Sequence, residues 1–316
     1  MATVLITGGT GMIGKALTRA LLEKNYKVII LSRDPANEID STIPGNVAYA
    51  GWNIDESYLD PQAIAKADYI VHLAGAGIAD KRWTARRKQE IRDSRVKSGQ
   101  LIVKALEEVP NKVKAVVSAS AIGWYGPDPQ IPNPHPFMED DPSDNGFLGS
   151  TCKEWEESLN PISSTGRRLI KLRTGIVLSN EGGALEEFEK PLKFGVAAIL
   201  GAGRQRISWI HIDDLVRLYI NAIESDDMRG VFNAVAPKPV SNKEFTLHLA
   251  NAKRGKFFIP VHVPAFVLKV KLGELSIEVL KSATVSCDKI HYSGFTFLYP
   301  SIDAAFQNLY EPANTR

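Results

Sequence analysis

The 316-residue sequence predicts an α/β protein built on a doubly wound parallel sheet with a smaller C-terminal domain. Three observations carry that prediction. Short apolar, β-branched runs alternate with longer amphipathic stretches. A glycine-spaced turn, Thr7-Gly8-Gly9-Thr10-Gly11-Met12-Ile13-Gly14, follows the first such run. The length leaves room for two domains, at roughly 150 residues each, or for one domain with insertions.

Residues 2–7, 27–32, 69–74, 113–119 and 168–173 are short and apolar on both sides of the chain, the pattern of strands buried on both faces. Helices are expected between them over 12–24, about 85–108 and about 149–160. Strand alternating with helix gives βαβ units and a parallel sheet. A helix over 212–224 and a short strand over 231–235 extend the same sheet. The nucleotide-binding domain then spans 1–175 and 205–235. Residues 176–204 and 236–316 form the smaller domain over the C-terminal edge of the sheet, where ligands of open α/β sheets bind. Six prolines in 127–142 exclude helix and central strand there. That segment reads as a stiff surface loop, or as a lid because it follows a strand end.

Composition excludes several classes. A hydrophobic share of 44% rules out wholesale disorder. Cys152 and Cys287 are too few for a disulfide scaffold or a four-cysteine metal site and read as small packed thiols. The N-terminus lacks the marks of a signal peptide, and no run of about 18 apolar residues occurs. A cytoplasmic protein with no membrane partner is the expectation.

The glycine-spaced turn is the strongest chemical signal. Gly8 suits a tight turn, Gly11 lets backbone N–H groups approach a pyrophosphate, and Gly14 permits close helix–sheet packing. Thr10, Met12 and Ile13 complete the loop and open a helix whose N-terminus favours anions. NAD sites usually carry an acidic residue at the end of the second strand. Here Ser32 stands in that place and Arg33 follows, a pair suited to a 2′-phosphate. A charge-assisted bond of this kind contributes about 1.5–3 kcal/mol, so the expected cofactor is NADP(H). Asp34, next door, could instead neutralise Arg33.

Together with this loop, HLAGA at 72–76, SASAIGWYG at 118–126, LRTGIVL at 172–178 and WIHIDDL at 209–215 resemble the extended short-chain dehydrogenase/reductase superfamily. The atypical branch described as nucleoside-diphosphate-sugar epimerase-like is similar also over IADKRWTARRKQEIRDSR at 78–95, over GAGRQRISWIHIDDL at 201–215, and over a C-terminal module of unknown function at about 264–311. The resemblance covers essentially the whole chain. It implies a Rossmann-like sheet with a C-terminal substrate domain and NADP across the strand ends. It also implies that Leu73, Ala74 and Gly75 line the cofactor and that Ser118 to Ser120 approach the nicotinamide ribose. Thr174, Gly175 and Val177 would cover the nicotinamide, with Glu90 and Arg95 facing the cofactor. An ordinary solvated helix face explains Glu90 and Arg95 equally simply.

The superfamily's hydride-transfer enzymes use a Ser or Thr, a Tyr, and a Lys four residues after the Tyr. A tyrosine with pKa near ~10 works as an acid/base only beside a cation. None of the nine tyrosines has Lys at +4. Lys153 lies in the right region, but Gly149 precedes it by four. Counting back from Tyr125-Gly126 as in the superfamily puts Ala121 at the hydroxyl position, whereas counting from the strand puts Ser120 there. Strand position is the more constrained, so Ser120 is the expected catalytic hydroxyl, and Tyr125 is either the substitute acid or an aromatic that packs the loop. His211 and Asp213 open a helix, where capping explains them.

Residues 81–97 hold eight basic and two acidic side chains, a net of +6 within a chain of net +2. Anion binding explains this patch more simply than nucleic acid. Arg82, Arg92 and Arg95 are candidates to meet phosphates, while Arg86, Arg87 and Lys88 are expected to be solvated. Arg204 and Arg206 form a second cluster, a diphosphate site or a plain surface loop. The leading expectation is an NADP(H)-dependent epimerase or oxidoreductase acting on a small polar molecule, with phosphorylated and nucleotide-linked compounds among the candidates. The rival is a non-catalytic NADP(H)-binding sensor or scaffold. No metal site is expected, and a homodimer stays open.

Overall fold

A computed structural model describes residues 1–35 and 47–310; residues 311–316 of the expected C-terminal domain lie outside them. The chain opens with β1 (Thr3–Thr7), α1 (Met12–Glu23), β2 (Lys27–Ser32), β3 (Val47–Asn53), β4 (Tyr58–Leu59), α2 (Pro61–Lys66) and β5 (Tyr69–His72). It continues through α3 (Ala85–Glu108), β6 (Ala115–Ala121), α4 (Phe147–Ser158), β7 (Arg168–Thr174), β8 (Ile176–Leu178), α5 (Ala184–Leu192) and β9 (Val196–Leu200). Then come β10 (Arg206–Ile207), β11 (Trp209–His211), α6 (Ile212–Glu224), β12 (Gly230–Ala234), β13 (Val240–Ser241), α7 (Asn242–Arg254) and β14 (Ile259–Val263). Four short helices end it: α8 (Ala265–Leu272), α9 (Leu275–Leu280), α10 (Asp288–Tyr292) and α11 (Ile302–Tyr310).

The main sheet has eight strands in the order β12-β7-β6-β5-β1-β2-β3-β4, parallel except for the β3–β4 pair. This is a Rossmann-like doubly wound sheet. Alternate residues of β1 show why its sequence is apolar throughout. Val4 and Ile6 face Leu17 and Leu21 of α1 and Leu215 of α6, while Leu5 faces Ile64 of α2 and Ile102 of α3. Both faces are covered, so no polar alternation survives. The chain winds outward from β1 to β3 and then restarts at β5 on the other side of β1. That reversal opens a crevice at the β1/β5 strand ends, the ligand position of such sheets.

The strands β3 and β4 fall outside the sequence expectation. They sit at the sheet edge, where β3 is only partly buried, so its small and polar residues blur the apolar signal. A separate core that includes Leu178, Leu185, Trp209, Phe245 and Phe306 gathers β8, α5, β9, β11, α7 and α11, whereas α6 and β12 pack in the core of the main sheet.

The C-terminal module is clamped by two carboxylates. Asp214, fully buried at the start of α6, accepts from the N–H groups of Leu298 (2.8 Å) and Tyr299 (2.9 Å) and from Arg217 (2.9 Å). WIHIDDL and GFTFLYP therefore act as two halves of one joint. Asp128, in the proline-rich loop, accepts from both Ser282 and Thr284 side chains and from the Thr284 N–H. Phe137 exchanges backbone bonds with Thr284 and Ser286. The loop is thus fastened to the module at both ends.

Asp214→Ala strands two partly buried N–H groups and one guanidinium, and is expected to cost on the order of 2 kcal/mol. Urea unfolding, with limited proteolysis over 288–300, checks it; a loss below about 1 kcal/mol would remove the clamp from the account.

Candidate functional site

The phosphate loop is shaped by backbone constraint. Gly8 has φ +68°, in the left-handed region, and a Cβ there would crowd the Leu73 and Ala74 backbone at 2.9–3.0 Å. A Cβ on Gly14 would fall within 3.0 Å of the Gly8 carbonyl oxygen, so only glycine lets α1 pack this tightly on the loop. Gly11 differs: a Cβ there meets nothing nearer than 3.4 Å. It is the N-cap of α1 and supplies no side-chain cap, so the first N–H groups of the helix are left to a ligand. These residues fit a pyrophosphate.

Thr7 ties the loop to the neighbouring strand. Its Oγ1 accepts from the N–H groups of Leu73 and Ala74, each at 3.1 Å, and lies 2.7 Å from His72 Nδ1. An oxygen already accepting twice gives its own proton to the imidazole. His72 Nε2–H then faces Ser98 Oγ at 3.2 Å, and Ser98 donates to the Arg95 carbonyl. Burial, helped by the nearby Arg95 charge, pushes the His72 pKa down to about 3, so the ring stays neutral.

At the end of β2, Ser32 is buried and its Oγ accepts from the Asp34 N–H at 3.0 Å. This turn leaves Arg33 and Asp34 exposed beside the crevice. On the other side, Arg95 donates to the carbonyls of Ala76 (3.0 Å) and Ile91 (2.9 Å) and lies 5.2 Å from the Trp155 ring centroid. Arg95 thus backs the HLAGA turn at Gly75. Glu90 is exposed and paired with Arg87 at 2.8 Å.

Arg87 corrects the expectation of a solvated side chain. It is 6% exposed and bonds the Gly77 carbonyl, Asp80 and Glu90, holding the 77–80 turn. Lys88 pairs with Glu274, and Arg92 with Asp93 and Glu154. Arg82 lies against Gly273. Arg86 is exposed. Much of the +6 patch is therefore taken up in bracing α3 against α4 and the module. Arg206 pairs with Glu244 at 3.4 Å, and Arg204 is exposed.

Ser120 and Tyr125 are drawn into a buried polar network. Ser120 Oγ donates to Glu156 Oε1 at 2.7 Å. Tyr125 is 0% exposed, stacks on Phe137, donates to Asn233 Oδ1 at 2.7 Å and accepts from Arg173 at 3.1 Å. Burial raises its pKa to about 12. Arg173 forms a two-pronged pair with Glu156 at 2.8 and 3.1 Å, donates to the Glu139 carbonyl and stacks 3.6 Å from the Trp124 ring centroid. At the position where the superfamily places its tyrosine, a Cβ on Gly149 would lie within 3.0 Å of the Asp144 carbonyl. Neighbouring backbone already fills that space. Lys153 is exposed.

The remaining expected residues line the strand ends. Ser118 is fully buried and Ala74 nearly so. Thr174 Oγ1 donates to the Leu172 carbonyl, and a Cβ on Gly175 would crowd the Ser208 carbonyl. Val177 pairs in register with Ile210. His211 Nδ1 accepts from the Asp213 N–H, a capping role, and Asp213 is exposed. Burial raises the pKa of Cys152 to about 12 and of Cys287 to about 11, leaving both as packed thiols.

Sequence reasoning missed a cleft of about 600 Å³ beside the phosphate loop, lined by Thr10, Met12, Lys15, Arg19 and Glu181. Arg19 and Glu181 meet there through two 2.7 Å bonds, bringing the loop after β8 over α1. It also missed Arg173 and Glu156. A cation inside the strand RLIKLRT was the available signal, because a buried charge needs a partner.

A glycine loop at the switch point of a doubly wound sheet, with an uncapped helix end behind it, defines a dinucleotide-binding protein. The profile of the NAD dependent epimerase/dehydratase family matches residues 4–146, and that of a domain of unknown function (DUF1731) matches 263–309. Epimerase family protein SSP1921 of Staphylococcus saprophyticus is 34% identical, over 98% of this chain and 99% of its own length. Epimerase family protein YfhF of Bacillus subtilis is also 34% identical, over 97% of each. The crystal structure of human epimerase family protein SDR39U1 (isoform 2) with NADPH has a TM-score of 0.85 at 29% identity, covering 98% of this chain and 99% of that one. A nucleoside-diphosphate sugar epimerase from Corynebacterium glutamicum has a TM-score of 0.75 at 30% identity, covering 98% of this chain and 58% of that one. The chain belongs to the epimerase family, as an NAD(P)-binding member with the DUF1731 module at its C-terminal end.

Two outcomes follow for stability. Glu156→Gln leaves Arg173, 2% exposed, without its counter-charge, and is expected to cost about 3–5 kcal/mol against about 1 kcal/mol for Ser120→Ala, both read by urea unfolding. His72 titrates near 6.5 when unfolded and near 3 when folded, so the unfolded chain binds the extra proton in between. Stability is full above pH 6.5 and falls towards pH 3 by up to about 1.4 kcal/mol per pH unit, a slope that His72→Gln should flatten.

Proposed function

We propose that the protein binds NADP(H) in preference to NAD(H) and is an oxidoreductase or epimerase acting on a small polar substrate. The carrying observation is the end of β2, where Ser32 replaces the usual acid and turns back on Asp34, leaving the Arg33 guanidinium exposed at the crevice. A carboxylate there would repel a 2′-phosphate; a guanidinium attracts it. The human relative solved with NADPH supports the same preference. Bound NADP(H) supplies or accepts a hydride at its nicotinamide ring. The chain's own part is to hold the pyrophosphate on the α1 N-terminus and to keep water from the strand ends with Thr174–Val177.

Within this reading Ser120 is the hydroxyl assigned to the reacting carbon, and to serve there it must turn away from Glu156, which holds its proton at 2.7 Å. Tyr125 we assign to holding the loop, because its proton is committed to Asn233. A second reading, an NADP(H)-binding sensor without turnover, is favoured by the filled space at Gly149.

Titration with NADPH and NADH is expected to give roughly 10–100-fold tighter NADPH binding, which Arg33→Ala should erase. Equal affinities in the unaltered chain would falsify the cofactor preference. A panel of carbonyl compounds and nucleotide sugars then separates the two readings. Turnover lowered by Ser120→Ala supports the enzyme, and intact NADPH binding with no turnover across the panel supports the sensor.

A further inference from the structure

An uncovered apolar surface lies on the ribbon formed by β9 and β14. The two strands pair in parallel register, Ile259 with Val196, Val261 with Ala198 and Val263 with Leu200. Paired residues share a sheet face, so one face carries six apolar side chains and no polar one. On the opposite face Ala197 and Ile199 of β9 are buried, while Pro260 and His262 of β14 are exposed. At one end of the ribbon stand Phe194, 87% exposed, and Phe257, 81% exposed, on two turns that Arg254 joins through the Leu192 and Phe257 carbonyls. At the other end Pro264 leads into α8, where only Leu268 is buried and Phe266 and Val270 are 69% and 74% exposed. Three phenylalanines this open present on the order of 400 Å² of apolar surface between them, within the ~300–600 Å² of the largest patch on a typical monomer, which is often a functional one.

The segment that carries most of this surface holds charge of one sign. From Phe245 to Gly273 the sequence contains Lys253, Arg254, Lys256, Lys269 and Lys271 and no acidic residue. Glu189 pairs with Lys253 and Glu274 with Lys88, so the exposed Lys256, Lys269 and Lys271 are the lysines of this segment offered to a partner. We infer that this face docks on the surface of an anionic phospholipid bilayer, with Phe194, Phe257 and Phe266 entering the headgroup boundary and the lysines meeting lipid phosphates. A second copy of the chain fits poorly, because a two-fold contact would set the same cations against each other. Nucleic acid fits poorly too, because exposed Ile259, Val261 and Val270 offer a polyanion nothing. The sequence suggested no membrane partner because no segment spans one, and among the described residues no helix is long and apolar enough to do so. Surface docking requires no spanning segment.

Flotation of the full chain with phosphatidylcholine vesicles, with and without phosphatidylglycerol, tests the inference. The expected result is flotation only with the anionic vesicles, weakened by salt. Phe257→Ser with Phe266→Ser, and separately Lys256→Glu with Lys269→Glu, should each lower partitioning on the order of tenfold or more, while NADPH binding is unchanged. Absence of flotation with anionic vesicles overturns the proposal, as does undiminished flotation of both variants. Concentration-dependent self-association lost in the phenylalanine variant without any flotation assigns the face to a second copy and overturns it. So does DNA binding lost in the lysine variant without flotation.

Discussion

A guanidinium cannot be buried without a compensating charge, and Arg173 at the end of β7 is 2% exposed. Much of the architecture near the strand ends answers to that constraint. Glu156 must reach it, which fixes how α4 lies across β6 and β7. The Trp124 ring and the Glu139 carbonyl must approach its remaining surface, which draws the proline-rich loop inward. Glu139 in turn accepts from the Asn233 N–H of β12, so the pair reaches the sheet's last strand. The consequence for chemistry is direct. The hydroxyls of Ser120 and Tyr125, which would otherwise turn to a ligand, satisfy Glu156, Arg173 and Asn233 instead. A fully connected buried network stabilises, and a partly connected one costs heavily, so these groups are not easily released.

The dinucleotide cradle is built on a different principle. It depends on backbone shape at Gly8, Gly11 and Gly14 and on the Thr7–His72–Ser98 relay behind it, none of which touches Arg173. Cofactor binding and proton transfer are therefore separable in this chain. Gly149 shows the separation most clearly. The Asp144 carbonyl occupies the space a tyrosine side chain would need, so that tyrosine cannot be restored by one substitution without moving the loop.

The sequence made the sheet legible wherever burial was complete. Thr3–Thr7 and Arg168–Thr174 are apolar enough on both faces to announce buried strands, and the glycine spacing announced the cradle. What it hid was long-range pairing. In WIHIDDL two adjacent aspartates look alike. Helix phase turns Asp214 inward beside Leu215 and leaves Asp213 in solvent, but the reason a buried carboxylate is tolerated lies 84 residues away at Leu298. Asp128 is hidden in the same way by its partners at Ser282 and Thr284. Arg87 looked solvated because its neighbours in sequence are charged, whereas its acceptors belong to a turn ten residues back and to one face of α3. The edge strands β3 and β4 escaped because half-burial removes the apolar signal.

Charge taught the same lesson in two directions. The +6 cluster at 81–97 was the obvious electrostatic feature, yet ion pairs to Asp80, Glu90, Asp93, Glu154 and Glu274 take up much of its charge in fastening α3 to its surroundings. The five cations between Phe245 and Gly273 drew no notice, because they are spread thinly among apolar residues. What a charge can do for a partner depends on whether the fold has already given it a counter-ion. By that measure Lys256, Lys269 and Lys271, beside exposed phenylalanines and unlike Lys253 with its Glu189, have more electrostatic work left to perform than the dense cluster.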